Sequence, residues 1–83
     1  MGLRPRRFVG SYYRADDATM FSYEVTVDPS VGGSVWFAVV RADGELRGRC
    51  SGALTHPRFT DATLEDAVRE LVDASIRDRI GVA

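Results

Sequence analysis

Lysine is absent: all eleven basic residues are arginine. With abundant Ala, Gly, Val and Asp, this is the composition of small proteins from GC-rich bacterial genomes, so Arg in place of Lys carries no functional signal alone. Cysteine occurs once, at Cys50, which excludes an internal disulfide and fits a reducing, cytoplasmic setting. Histidine also occurs once, at His56, and no metal-ligand spacing surrounds it. No apolar run approaches the roughly 18 residues needed to cross a bilayer, so no membrane partner is expected. The start, MGLRPRRFVG, is basic but has no apolar segment behind it, unlike a secretory signal. Position 6 is Arg where a myristoylation signal needs Ser or Thr.

What is present is the material of one small folded domain. In 83 residues, 45% hydrophobic and 28% charged side chains are proportions of an ordinary core, not of a disordered chain. The net charge of −1 hides segregation. Residues 1–14 carry Arg4, Arg6, Arg7 and Arg14 with no acid. Residues 15–46 set six acids against Arg41, and residues 47–58 add Arg47, Arg49 and Arg58. Two local basic regions therefore need explaining.

In "FSYEVTVD", Phe21, Tyr23, Val25 and Val27 alternate with polar residues, the period-2 pattern of a strand with one buried face. Asp28-Pro29 and Gly32-Gly33 then mark a loop. Two further strands, Val35–Arg41 and Leu46–Ala53, are joined at Asp43-Gly44, a favoured two-residue hairpin turn. A regular ladder from that turn sets Val40 opposite Arg47, Ala38 opposite Arg49 and Trp36 opposite Ser51. Phe37 then meets Cys50 on the other face. Pairing Asp28 with Ser34 brings Val25 beside Phe37 and Tyr23 beside Val39 on that same face. A slip of one residue would exchange the two faces.

"TLEDA" starts a helix with Thr63 as N-cap and Glu65 and Asp66 in the first turn, where they suit the dipole. Leu64, Val68, Leu71, Val72, Ser75, Ile76 and Ile80 form one stripe. Glu65–Arg69 and Asp73–Arg77 are i,i+4 pairs, and Gly81 is placed as the residue past the helix end. Gly48 and Gly52 would let the helix approach the third strand. The expected fold is α+β: a three-stranded antiparallel meander, order 1-2-3, with one C-terminal helix on one face, spanning residues 20–83. Residues 1–19, with "RFVGSYYR", could be an extra strand, a folded-back flap or a loose arm.

On this register Trp36, Arg47 and Arg49 share the helix-free face. An exposed aromatic beside guanidinium groups suits stacking on bases and contact with phosphates. The competing expectation is that Phe8, Tyr12 or Tyr13 folds over Trp36 and closes a second small core. Arg4, Arg6 and Arg7 could touch a phosphate backbone, although arginine-rich termini are more often simply solvated. Catalysis is not expected. Cys50 points into the core, Asp16-Asp17 are adjacent rather than set across a cleft, and "PSVGGS" joins two strands instead of opening a helix. No cofactor is implied. The expected function is a non-catalytic binding module for nucleic acid or another anionic ligand. The alternative is a domain that dimerises or holds a protein partner.

The layout from Tyr23 to Ile80, ending "TLEDAVRELVDASI", resembles the HicB-type antitoxin fold, whose helix often opens on a similar run. That resemblance implies a toxin partner and oligomerisation. Three strands on one helix is also similar to the AP2-type and integrase arm-binding domains. Those families imply DNA contacts from Arg and Trp on the open sheet face, with Trp36, Arg47 and Arg49 at the corresponding positions.

Overall fold

A computed structural model of the chain describes residues 6–30, 33–54 and 61–83. Four strands form one antiparallel sheet in the order β1-β2-β3-β4: β1 Arg6–Arg14, β2 Thr19–Ser30, β3 Gly33–Ala42 and β4 Glu45–Leu54. The helix α1, Asp61–Arg77, follows them and packs on one face. The N-terminal segment is thus the fourth strand. It pairs along β2 from Arg6↔Val27 to Arg14↔Thr19, so neither a flap nor a loose arm exists over Arg6–Arg14.

The core lies between sheet and helix. β2 contributes Phe21, Tyr23, Val25 and Val27, as its alternation predicts. β3 contributes Trp36, Ala38, Val40 and Ala42, β4 contributes Cys50, and α1 contributes Val68, Val72 and Ile76. Phe8 and Tyr12 of β1 pack against the margin of this cluster. The second small core expected over Trp36 does not form, because Trp36 belongs to the main one.

This corrects the expected β3–β4 register. The Asp43-Gly44 turn is present, with positive φ at both residues (52° and 78°), as a type I′ turn requires. Its first two pairs, Ala42↔Glu45 and Arg41↔Leu46, are as expected. A bulge then intervenes, and Val40 pairs with Gly48 instead of Arg47. Beyond it Ala38 meets Cys50 and Trp36 meets Gly52. The extra residue is accommodated at Gly48, whose φ of 157° lies where side chains are strained. The β2–β3 pairing also differs, because the strand continues through Pro29, giving Pro29↔Ser34 and Asp28↔Val35. The outcome is a one-residue exchange of faces along β3. Trp36 moves under the helix, and Phe37 and Val39 move out.

The two glycines of β4 serve other ends than helix approach. A Cβ at Gly48 would strike the backbone of Gly81 and Val82, and one at Gly52 would press the Trp36 indole at 3.0 Å. The helix itself begins at Asp61, so Thr63 lies within it instead of capping it. It ends three residues before Ile80. Arg79 takes the left-handed conformation (φ 55°), while the Ile80 N–H donates to Ser75 O (2.8 Å) and the Arg79 N–H to Ile76 O (3.3 Å). These two bonds form a Schellman closure with Arg79, not Gly81, past the helix end. Ile80 and Leu71 of the expected stripe are exposed. The i,i+4 pairs give way to other contacts: Glu65 meets Arg6 and Arg69 donates to Val9 O across the fold, while Arg77 pairs with its neighbour Asp78. The chain then returns to the sheet rim. Arg49 N–H donates to Gly81 O (3.1 Å) and Ala83 N–H to Arg47 O (3.0 Å), so Gly81–Ala83 adds a short fifth rung beside β4.

Candidate binding surface

Alternation along four paired strands fixes which side chains share the helix-free face. One cross-strand row reads Arg7–Thr26–Phe37–Ser51, and the next Val9–Glu24–Val39–Arg49. Toward the Asp43-Gly44 end follows Ser11–Ser22–Arg41–Leu46, with Tyr13 and Met20 beyond it. At the opposite end Asp28, Val35 and Ala53 lie side by side. Of the eight large hydrophobic residues exposed among the described residues, six are on this face: Val9, Tyr13, Met20, Val35, Phe37 and Leu46. Phe37 stands at its middle with 46% of its surface in solvent. Beside it a shallow concavity of about 410 Å3 is lined by Phe37, Val39, Arg49 and Ser51 with the strand backbone at Ala38 and Cys50.

Charges dot the same face. Arg7 pairs with Glu24, while Arg41, Arg49 and Asp28 make no ion pair among the described residues. The face therefore carries three arginines and two acids. That is nearly balanced, unlike the single-sign stripe of a nucleic-acid groove.

The expected site residues separate. Arg7 and Arg49 do reach the open face. Trp36 is 3% exposed in the core, and its buried indole N–H has no hydrogen-bond partner among the described residues. Arg47 leans to the helix side, its guanidinium 5.4 Å from the Phe21 ring and Nη2 donating to Ala83 O (3.5 Å). Arg6 also lies on the helix side, 4.0 Å from Glu65. Arg4 and His56 fall outside the described residues. The residues missed are Val35, Phe37 and Arg41. The signal that could have found them is Arg41: the expected register, which made Phe37 and Val39 core residues, placed this charged side chain on the same face as them.

The helix side is occupied by internal ties. Arg14, 2% exposed, donates from Nε and Nη2 to both oxygens of Asp17 (3.1 and 2.6 Å). It also donates to Ile76 O and Ala83 O (both 3.1 Å) and lies 4.6 Å from the Phe21 ring centroid. The Arg14 hydrogen bonds hold the Asp17 carboxyl well below the usual carboxylate range. Arg79 joins through Asp16 at 2.8 Å. Farther along, the Tyr23 hydroxyl donates to Asp73 Oδ1 (3.0 Å). Burial, with the carboxylate beside it, pushes Tyr23 up to about 12, and burial raises Asp73 as well. Burial likewise raises the Cys50 thiol, so a thiolate is disfavoured there. Among the described residues no three His, Cys, Asp or Glu groups converge as metal ligands, and no helix is long and apolar enough to cross a membrane.

Chemically, the open face can stack, exclude water and meet charges of either sign. Neither a protein-family model nor a curated protein nor a solved structure matches this chain.

Proposed function

We propose that this protein is a non-catalytic interaction domain that docks a protein surface on its helix-free sheet face. The carrying observation is the concentration of exposed apolar side chains there around Phe37. Single exposed hydrophobics are ordinary, but a contiguous patch of them on a small domain marks an interaction site. Near-neutral charge favours protein over nucleic acid. The test is a photocrosslinking amino acid placed at Phe37 of the full chain, with Arg77 on the outer helix surface as control. Adducts from position 37 and not from position 77 are the expected result. No adduct at 37, or equal yields at both, would overturn the reading.

One observation favours a second reading, contact with a nucleic acid or another anionic ligand. Arg41 and Arg49 make no ion pair among the described residues and lie next to an exposed aromatic ring. The stacking role expected of Trp36 would pass to Phe37, and the phosphate contacts to Arg41 and Arg49. Anisotropy of a labelled single-stranded oligonucleotide would then rise at low salt and fall steeply as salt is added. A flat titration at low salt removes this reading.

A further inference from the structure

We infer that the occupant of the open face is a second copy of this chain, stacked face to face about a two-fold axis that runs across the strands between Phe37 and Val39. This rests on the docking reading above and names its partner.

The argument is one of self-complementarity. Two-fold contacts must match a patch to itself, so each residue has to suit the residue that the rotation brings opposite. Along the strand direction, Asp28 and Val35 lie one row before Phe37, and Arg41 lies one row after Val39. A two-fold midway between Phe37 and Val39 exchanges these ends. Phe37 of each copy lands on Val39 of the other, and Arg41 lands above Val35, next to Asp28. Arg41 and Asp28, neither of which has an ion pair among the described residues, thereby meet twice per dimer, while Arg49, on the edge strand, falls over Ser51 at the rim. Arg7 and Glu24 already satisfy each other and are carried into the pair as a neutral unit.

Size agrees. Four strands at about 4.8 Å spacing and ten residues at about 3.3 Å rise present roughly 600 Å2 per copy. Two copies bury about 1,200 Å2, the low end of specific interfaces, which fits a reversible dimer better than an obligate one. The product is a helix–sheet–sheet–helix sandwich with Phe37 filling the layer of about 10 Å between sheets.

Sedimentation equilibrium of the full chain at low salt tests this. The expected mass rises from 9.1 kDa to twice that value between about 1 μM and 1 mM. Phe37→Glu abolishes the rise while circular dichroism and melting stay those of a folded domain. Should that variant unfold, Val35→Glu serves in its place. Asp28→Arg or Arg41→Asp alone weakens association about tenfold or more, and the two together restore it. A monomer at every concentration overturns the proposal, as does dimerisation that ignores both charge reversals. The crosslinking arm separates the two claims. An adduct at position 37 twice the chain mass supports the second copy. A heterologous adduct overturns it and leaves the docking reading standing, and no adduct at all removes both.

Discussion

Arg14 is the one charged side chain fully buried among the described residues, and it joins the end of β1, the last turn of α1 and the C-terminal rung. Its sequence context shows only an arginine in a basic stretch. The tie becomes visible only when Asp17, Ile76 and Ala83 are brought to it from separate parts of the chain. Arg14→Met keeps most of the stem contact with Phe21 but removes the forked bond to Asp17 and the bond to Ile76 O, and leaves Ala83 O with only the longer contact from Arg47. The expected loss is about 2–4 kcal/mol in urea unfolding, given the usual worth of hydrogen bonds to charged groups. Arg14→Lys recovers less than half of it, because an ammonium cannot serve a forked carboxylate and two carbonyls at once. Trp36 behaves oppositely. Its unpaired indole N–H carries a desolvation cost that Phe does not, so Trp36→Phe is expected to cost under about 1 kcal/mol, whereas Trp36→Ala costs about 3–5. Equal losses for the two variants would show that the N–H finds a partner.

At the scale of elements, the β2–β3 register decides which face of β3 is seen by solvent, and the bulge before Gly48 decides which side chains of β4 join it. Gly48→Ala introduces a methyl into a left-handed position already filled by the returning backbone of Gly81 and Val82. The rung should detach, with a stability loss of about 1–3 kcal/mol. Hydrogen exchange would report it as faster exchange of the Arg49 and Ala83 amides while the Val25 and Ala38 amides stay protected. Much of the fold was legible: the β2 alternation, the Asp43-Gly44 hairpin and the Val68–Val72–Ile76 helix stripe all follow from local periodicity. The open face was not, because β3 is apolar on both sides. In such a strand period-2 reasoning depends wholly on register, and one inserted residue reverses it. Arg41 was the single residue in β3 whose charge could have broken the tie. The helix end was misplaced for a related reason. Gly81 has the expected conformational freedom, but Arg79 is held in the left-handed region at the same point where Asp16 and Asp17 bind its guanidinium.

For the whole molecule, pH response should be two-sided. Tyr23 has its folded pKa raised from 10.0 to about 12, so the folded state keeps a proton that the unfolded chain releases. Stability is intact below pH 10 and falls as pH rises toward 12. Tyr23→Phe should flatten that limb in melts monitored by far-UV dichroism, at a neutral-pH cost of about 1 kcal/mol for the lost bond to Asp73. In acid the sign reverses. Asp17 is depressed, so its contribution is present above the ordinary carboxylate range and fades as pH falls below it. Asp73, raised by burial, acts against that trend. Asp17→Asn should therefore lose stability at pH 7 and show a shallower acid limb than the parent chain. A parallel acid limb in the variant would remove Asp17 from the account.

The returning tail has one more effect. Sheets that carry an apolar face run the hazard of growing sideways, strand on strand, into fibres. Here the backbone at Arg47 and Arg49 is already engaged by Gly81–Ala83, and on the opposite rim the Arg69 side chain occupies the Val9 carbonyl. Both rims are thus blunted where a foreign strand would begin to add. Recruitment is steered away from runaway polymer and toward a flat contact that is finished once the face is covered.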